Sequence, residues 1–264
     1  MEALLSLAFD NLSSFDGPKI RKGLRQVEGL LAQICLSNPG SKQSQPSSSS
    51  SSSSSSAPRH YDDDDDADDD NDASPPPKDL AQLSRDPAFR EFFKLQEGFE
   101  WNVAMRLINT LDRLMAKGSD GQNDLLILSA LDLTQGVLLL HPPSKQLFSR
   151  EQNMNLLLDL LEPYNSPAIQ SATLLTLVVA LIDTPSNARA FEGLDGLLTI
   201  TSLFKSRSTA REVKLKLVEF LYFYLMPESP PSTSPIEKRE PSGPTVEDLV
   251  KDLRNLSPFG GMVC

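Results

Sequence analysis

Few residues in this chain are of the types that do chemistry, and their spacing brings none of them together. There are two histidines, His60 and His141, and two cysteines, Cys35 and Cys264. A zinc centre needs three or four His, Cys or carboxylate ligands at close spacing. His60 stands among serines and aspartates, and His141 precedes Pro142-Pro143 where a helix must stop; neither has such neighbours. Cys35 follows Ile34 on an apolar face and reads as a small core residue, because no arginine follows at the spacing a phosphate-loop thiolate needs. No GxxxxGK[ST] or GxGxxG phosphate loop and no Gly-x-Ser-x-Gly elbow occurs; Gly260-Gly261 lies in a tail with no strand before it. Glu91, Glu97, Glu100 and Arg106 form the densest ionisable set, and they read as the solvated side of a helix that carries Phe92 and Phe99. An enzyme built on them would need two or more in one buried pocket. No catalytic residue, cofactor or metal ligand is assigned.

Charge narrows the partners. The formal net charge is −11, and nine aspartates fall between Tyr61 and Asp72; without them −2 remains. A nearly neutral body lacks the clustered Lys and Arg that nucleic acid or an anionic membrane requires. The aspartate run has no glycine turn or bidentate Glu to impose calcium geometry, and reads as a self-repelling linker. No apolar run reaches membrane-spanning length, and Met1 to Asp10 lacks the pattern of a signal peptide. These features predict a soluble protein without membrane insertion, cytoplasmic or nuclear.

The elements that must carry any function are helices. Residues 39–78 hold ten consecutive serines, the aspartates and the run Pro75-Pro76-Pro77, and read as a disordered linker. Residues 227–244 are Pro/Ser-rich and read alike, leaving 1–38, 79–226 and a tail 245–264 with a short helix. Ile20, Leu24, Val27, Leu30, Leu31 and Ile34 predict a helix over Pro18 to Leu36. Asp86-Pro87 reads as a cap and first position for a helix carrying Phe89, Phe92, Phe93, Phe99, Trp101, Met105, Leu107, Ile108, Leu111 and Leu114 to Gly118. Further helices are predicted at Asp124 to His141, Met154 to Leu161, Ser166 to Leu181 and Gly196 to Phe204. A last one, capped by Ser208 or Thr209, runs to Pro227, with Glu212 three residues after Thr209 completing a capping box.

Phe148 and Phe191 stand 43 residues apart, each followed by a short helix, a polar turn and a long apolar helix. Armadillo and HEAT repeats have this period. The pattern predicts an all-α fold: a short armadillo/HEAT-like α-solenoid of about three repeats with long disordered linkers, or an irregular helical bundle in which the echo is chance.

The stretch Met1 to Leu36, the Phe89 to Asn102 block (FREFFKLQEGFEWN) and the Asn187 to Leu203 junction resemble the fungal cell division control protein 14 family, a component of the septation initiation network. The dual-specificity phosphatase of the same name would need a His-Cys-x5-Arg loop, which is not present. The resemblance implies a non-catalytic regulatory subunit for a Ste20-like (germinal-centre) protein kinase. It also implies association with other septation initiation network components and with the spindle pole body, in the cascade that links mitotic exit to septation.

Phe89, Phe92, Phe93, Phe99 and Trp101, with the N-terminal helix, are the candidate kinase-binding surface, although the same spacing suits a core. Ser74, Ser229, Ser234 and Ser257 each precede proline and are candidate phosphorylation sites. Two other readings stay open: a helical-repeat adaptor unrelated to septation, and an enzyme with an unrecognised site.

Overall fold

The computed structural model describes residues 1–36, 77–116 and 121–226. Ser74, Ser229, Ser234 and Ser257, the aspartate run and the tail lie outside them, as does Gly118. Among the described residues every regular element is a helix, as expected. In chain order these are α1 (Glu2–Leu12), α2 (Gly17–Cys35), α3 (Leu80–Arg85), α4 (Pro87–Glu97), α5 (Val103–Ala116) and α6 (Asp124–Leu140). A 3-10 helix (Pro142–Ser149) follows, then α7 (Glu151–Leu160), α8 (Pro167–Leu181), α9 (Pro185–Gly193), α10 (Gly196–Lys205) and α11 (Arg211–Leu225).

A long helix packs on a shorter partner four times over: α2 on α1, α6 on α5, α8 on α7 and α11 on α10. The long helices also pack on one another in chain order, α2 against α6, α6 against α8 and α8 against α11. This is the stacking a helical repeat requires, since no single hairpin can bury its own apolar side. Phe148 and Phe191, the pair 43 residues apart, are both fully buried. Each sits in the short element that opens a unit, the 3-10 helix in one and α9 in the next. Asn187 ties these two elements together, its Nδ2 donating to the Lys145 carbonyl at 2.8 Å and to the Ala180 carbonyl at 2.7 Å.

Three local expectations are corrected. The helix expected from Pro87 to Gly118 is two helices, broken at Gly98 to Asn102. Between Leu181 and Gly196, where no element was predicted, the chain forms α9. The capping box at Thr209 does not form: the cap of α11 is Ala210, and the Thr209 hydroxyl donates instead to the Leu203 carbonyl at 2.7 Å, closing α10. The cap at Asp86 holds, with its carboxylate accepting from the Ala88 amide at 2.7 Å.

The expected linker also ends earlier than residue 78. Leu36 and Pro77 form an antiparallel bridge, and the Lys78 amide donates to the Cys35 carbonyl at 2.8 Å. Lys78 Nζ bonds both the Ile34 carbonyl and the Asp86 carboxylate, and this pairing lowers the Asp86 pKa below the usual carboxylate value. The two ends of the serine- and aspartate-rich insertion therefore meet at the foot of α2. An insertion closed at its base costs little, because loop-closure entropy grows only logarithmically with length.

Two glycines are required by close approach. A Cβ on Gly23 would stand 2.9 Å from the Leu12 backbone nitrogen and 3.0 Å from the Ala8 carbonyl oxygen, where α1 crosses α2. A Cβ on Gly196 would stand 2.3 Å from the Phe191 ring, which explains the glycine in the Gly-Leu-x-Gly-Leu-Leu junction. Gly29, in the same helix as Gly23, has nothing within 4 Å. Gly23→Ala is therefore expected to destabilise the protein by about 1–3 kcal/mol through overpacking against backbone. Gly29→Ala is expected to be neutral, or stabilising by up to about 1 kcal/mol through helix propensity. Thermal denaturation of the two variants checks both signs.

Candidate protein-interaction surface

The residues with chemistry in their side chains are spent on structure. Gln96 and Asn102, both buried, build the turn between α4 and α5. Gln96 Oε1 accepts from the Val103 amide at 2.7 Å, and its Nε2 donates to the Trp101 carbonyl at 3.0 Å. Asn102 Oδ1 accepts from the Met105 amide at 2.9 Å, while its Nδ2 donates to the Gln96 carbonyl at 2.7 Å and to Ser144 Oγ at 3.1 Å. Ser144 Oγ in turn pairs with His141 Nδ1 at 2.8 Å, and the His141 ring meets Phe93 edge-on with centroids 4.5 Å apart. His141 ends α6, as expected, and the network joins that end to α5 and the 3-10 helix. Sequence reading missed it, because its bonded partners lie as far as 42 residues apart and none stands in a motif.

The ionisable set does not converge. Glu91, Glu97 and Glu100 are exposed. Arg106 lies with its guanidinium 5.2 Å from the Phe9 ring centroid. Of the four, only Glu97 lines the cavity beside His141, together with Gln96, Asn102, Ser144 and Arg150.

The aromatic block is divided. Phe92 is fully buried and so belongs to the core, not to a contact surface. Phe89 and Phe93 are half-buried, their centroids 6.0 Å apart. Trp101 is half-buried and stacks on Phe9 of α1 at 6.3 Å, so its ring holds α1 in place. Phe99 alone projects, 74% exposed. The N-terminal helix leaves Leu4 and Leu7 exposed one turn apart.

A larger surface runs across the long helices. Helices α6 and α8 each have a long neighbour on both sides and a shorter helix beneath. Only one line of each can reach solvent, and those lines must share the outer face. On α6 the line runs through Leu125 (70% exposed), Ser129, Asp132 and Leu139. On α8 it runs through Ala168 and Leu175, and Ile182 just beyond the helix continues it. On α11 it runs through Leu215, Val218 and Tyr222 (71% exposed), with Met226 just beyond. Arg21, Arg25 and Glu28 of α2 meet Leu125, Leu128, Ser129 and Asp132 of α6 along a groove of about 470 Å³, giving the face a charged rim. Partial burial raises the Asp132 pKa. The one sequence sign of this face is that α6 and α8 are apolar nearly all round, leaving apolar residues over once the core is filled.

These features define an all-helical protein with a broad outer face of apolar residues, and reactive groups that are either dispersed or bound up in turns. Comparison with known proteins gives the family. The model of "Cell division control protein 14, SIN component" matches residues 1–245. The Schizosaccharomyces pombe protein "Cell division control protein 14" is 31% identical over 187 residues, covering 64% of this chain and 78% of that protein. The chain belongs to this family, that of the septation initiation network component. No solved structure matches it.

Burial lowers the His141 pKa from its ordinary value near 6.5, and the nearby Glu97 offsets this only in part. The unfolded chain therefore takes up this proton first as pH falls. Stability from His141 is complete above about pH 6.5 and is lost below it. The melting temperature of the parent protein is expected to fall between pH 7 and 5 more steeply than that of His141→Asn, which keeps a helix-ending residue without the titration. Parallel melting curves over that range show the difference.

Proposed function

We propose that this chain is a non-catalytic regulatory scaffold that binds a Ste20-like (germinal-centre) protein kinase and other septation initiation network components. In this reading it couples mitotic exit to septation and cytokinesis, acting from the cytoplasm and at the spindle pole body. The observation that carries the reading is the outer face of α2, α6, α8 and α11, in a chain that belongs to the septation initiation network family. A stack of helices offers an extended surface without needing a catalytic pocket. The alternation of short and long helices supports the same role. The face combines apolar residues with a rim of arginines and acids, the composition of a contact that packs at its centre and orients at its edge. Phe99 and the exposed line of α1 lie on other elements and serve as secondary contacts.

Affinity purification of the tagged protein from dividing cells, followed by mass spectrometry, is expected to recover a Ste20-like kinase. Leu125→Asp combined with Leu139→Asp alters two exposed positions and should leave the helical content and melting temperature of the protein intact. This variant is expected to weaken kinase capture by about 2 kcal/mol or more, roughly 30-fold. Recovery of no kinase by the parent protein, under conditions that keep complexes together, would sink the reading. Undiminished capture by a folded double variant would move the contact to another face.

A further inference from the structure

The apolar line of α11 has its own candidate occupant in the same chain. Helix α11 is the last of the stack and packs on α8 and α10, and Leu215, Val218, Tyr222 and Met226 remain exposed. These four recur at intervals of three or four residues, which places them along one side of the helix. They advance about 16 Å along its axis. Lys216 and Glu219 pair at 2.7 Å beside them. The neighbouring helix α8 carries no charged residue, so the surface next to the line is uncharged.

The chain leaves the stack at Met226, at one end of this line. Residues 227–244 are rich in Pro and Ser. Thr245 then opens a run with Val246, Leu249, Val250, Leu253 and Leu256 at helical intervals, stopped by Pro258. Thr245 and Asp248 have capping-box spacing, and Glu247 and Lys251 stand four apart on the polar side. As a helix, the apolar side of this run would extend about 15 Å, matching the α11 line. The 18 residues of 227–244 reach about 25 Å even as a flexible coil. Helix α11, with 15 residues, is about 22 Å long, so the tail can return along all of it. In that parallel direction Glu247 and Asp248 come beside the half of α11 that holds Lys214 and Lys216, and Arg254 beside the half that holds Glu219.

We propose that residues 245–256 dock as an amphipathic helix along the exposed Leu215–Met226 side of α11. Attachment through a short linker gives the segment an effective concentration in the millimolar range, which favours it over a second copy of the chain. The docking stands whether or not a kinase uses the outer face. A partner that does bind at the α11 end competes with the tail.

Photo-crosslinking of the full chain tests this. A Tyr222→benzoylphenylalanine variant, prepared as an equal mixture of light and isotope-labelled chains, is irradiated and mapped by mass spectrometry. Crosslinks are expected within single chains, landing between residues 245 and 256, and are expected to be lost when Leu249→Asp and Leu253→Asp are added. Hydrogen exchange on the chain without the crosslinker is expected to speed up across 215–226 in the same double variant. Crosslinks that join two chains, fall elsewhere or survive the double substitution overturn the proposal, and so does unchanged exchange.

Discussion

The structure depends on one packing constraint: a helix in the middle of a stack is covered on three sides. Helices α6 and α8 meet it with leucine, isoleucine, valine and alanine almost all round, and their few polar residues are chosen to need no partner outside the helix. The hydroxyl of Thr134 donates to the Ala130 carbonyl at 2.7 Å, that of Thr173 to Ile169 at 2.8 Å and that of Thr176 to Ala172 at 2.9 Å. A buried hydroxyl left unbonded would cost about 1–3 kcal/mol, so each threonine turns back onto its own helix. Two glutamines are exceptions: Gln135 reaches across to Thr176 at 3.0 Å and joins α6 to α8, and Gln170 donates to the Leu161 carbonyl at 3.0 Å and the Glu162 carbonyl at 3.1 Å, joining α8 to the end of α7. Everything outside these helices is arranged by how they must be covered.

The sequence shows this constraint where it acts locally. Pro18, Pro87, Pro142 and Pro167 mark helix starts or stops because proline fixes the backbone angle and removes a donor. Phe148 and Phe191, 43 residues apart, are both fully buried, each in the short element that precedes a short and a long helix. What is not legible depends on contacts distant in sequence. The break at Gly98 is held by Gln96 and Asn102 bonding to the turn and to Ser144, and no local pattern encodes that. Thr209 has the spacing of a cap, but the free Leu203 carbonyl of the preceding helix takes its hydroxyl first. Helix α9 is hidden because only Asn187 and Phe191 of its residues are buried, too few for an apolar period, and it is these two that fix it against the 3-10 helix.

The same distinction governs the candidate surface. Aromatic residues at helical spacing serve a core or a contact equally well in sequence, and burial separates them. Phe92 is inside and Trp101 is half covered by Phe9, leaving Phe99 outside. The larger face on α6, α8 and α11 is assembled from single residues on separate helices, so it exists only once the stack is formed. The family assignment was legible for a different reason: it rests on blocks at the N-terminus, around Phe89 and around Asn187, each of which makes a specific closure. The first crosses at Gly23, the second builds the α4–α5 turn, and the third joins successive units.

The two ends of the stack solve their exposure differently, and that asymmetry bears on where contacts can form. At the first end α1 is fastened by polar and aromatic contacts together: Arg106 lies over Phe9, Phe9 stacks on Trp101, and Arg113 reaches the Leu12 carbonyl that ends the helix. A helix held this way still leaves Leu4, Leu7 and Phe15 exposed. At the last end, Phe191, Phe220 and Tyr224 cluster within 6 Å of one another and Tyr224 donates to Glu192 at 2.6 Å, which fixes the inner side of α11. Burial and that carboxylate push the Tyr224 pKa far above the usual phenol value, so the bond persists across the physiological range. Among the described residues, Leu215, Val218, Tyr222 and Met226 stay exposed on the outer side of α11. The end that is fixed from within thus keeps an apolar line on its outer side, and an added segment packing there would extend the stack without disturbing the cluster beneath.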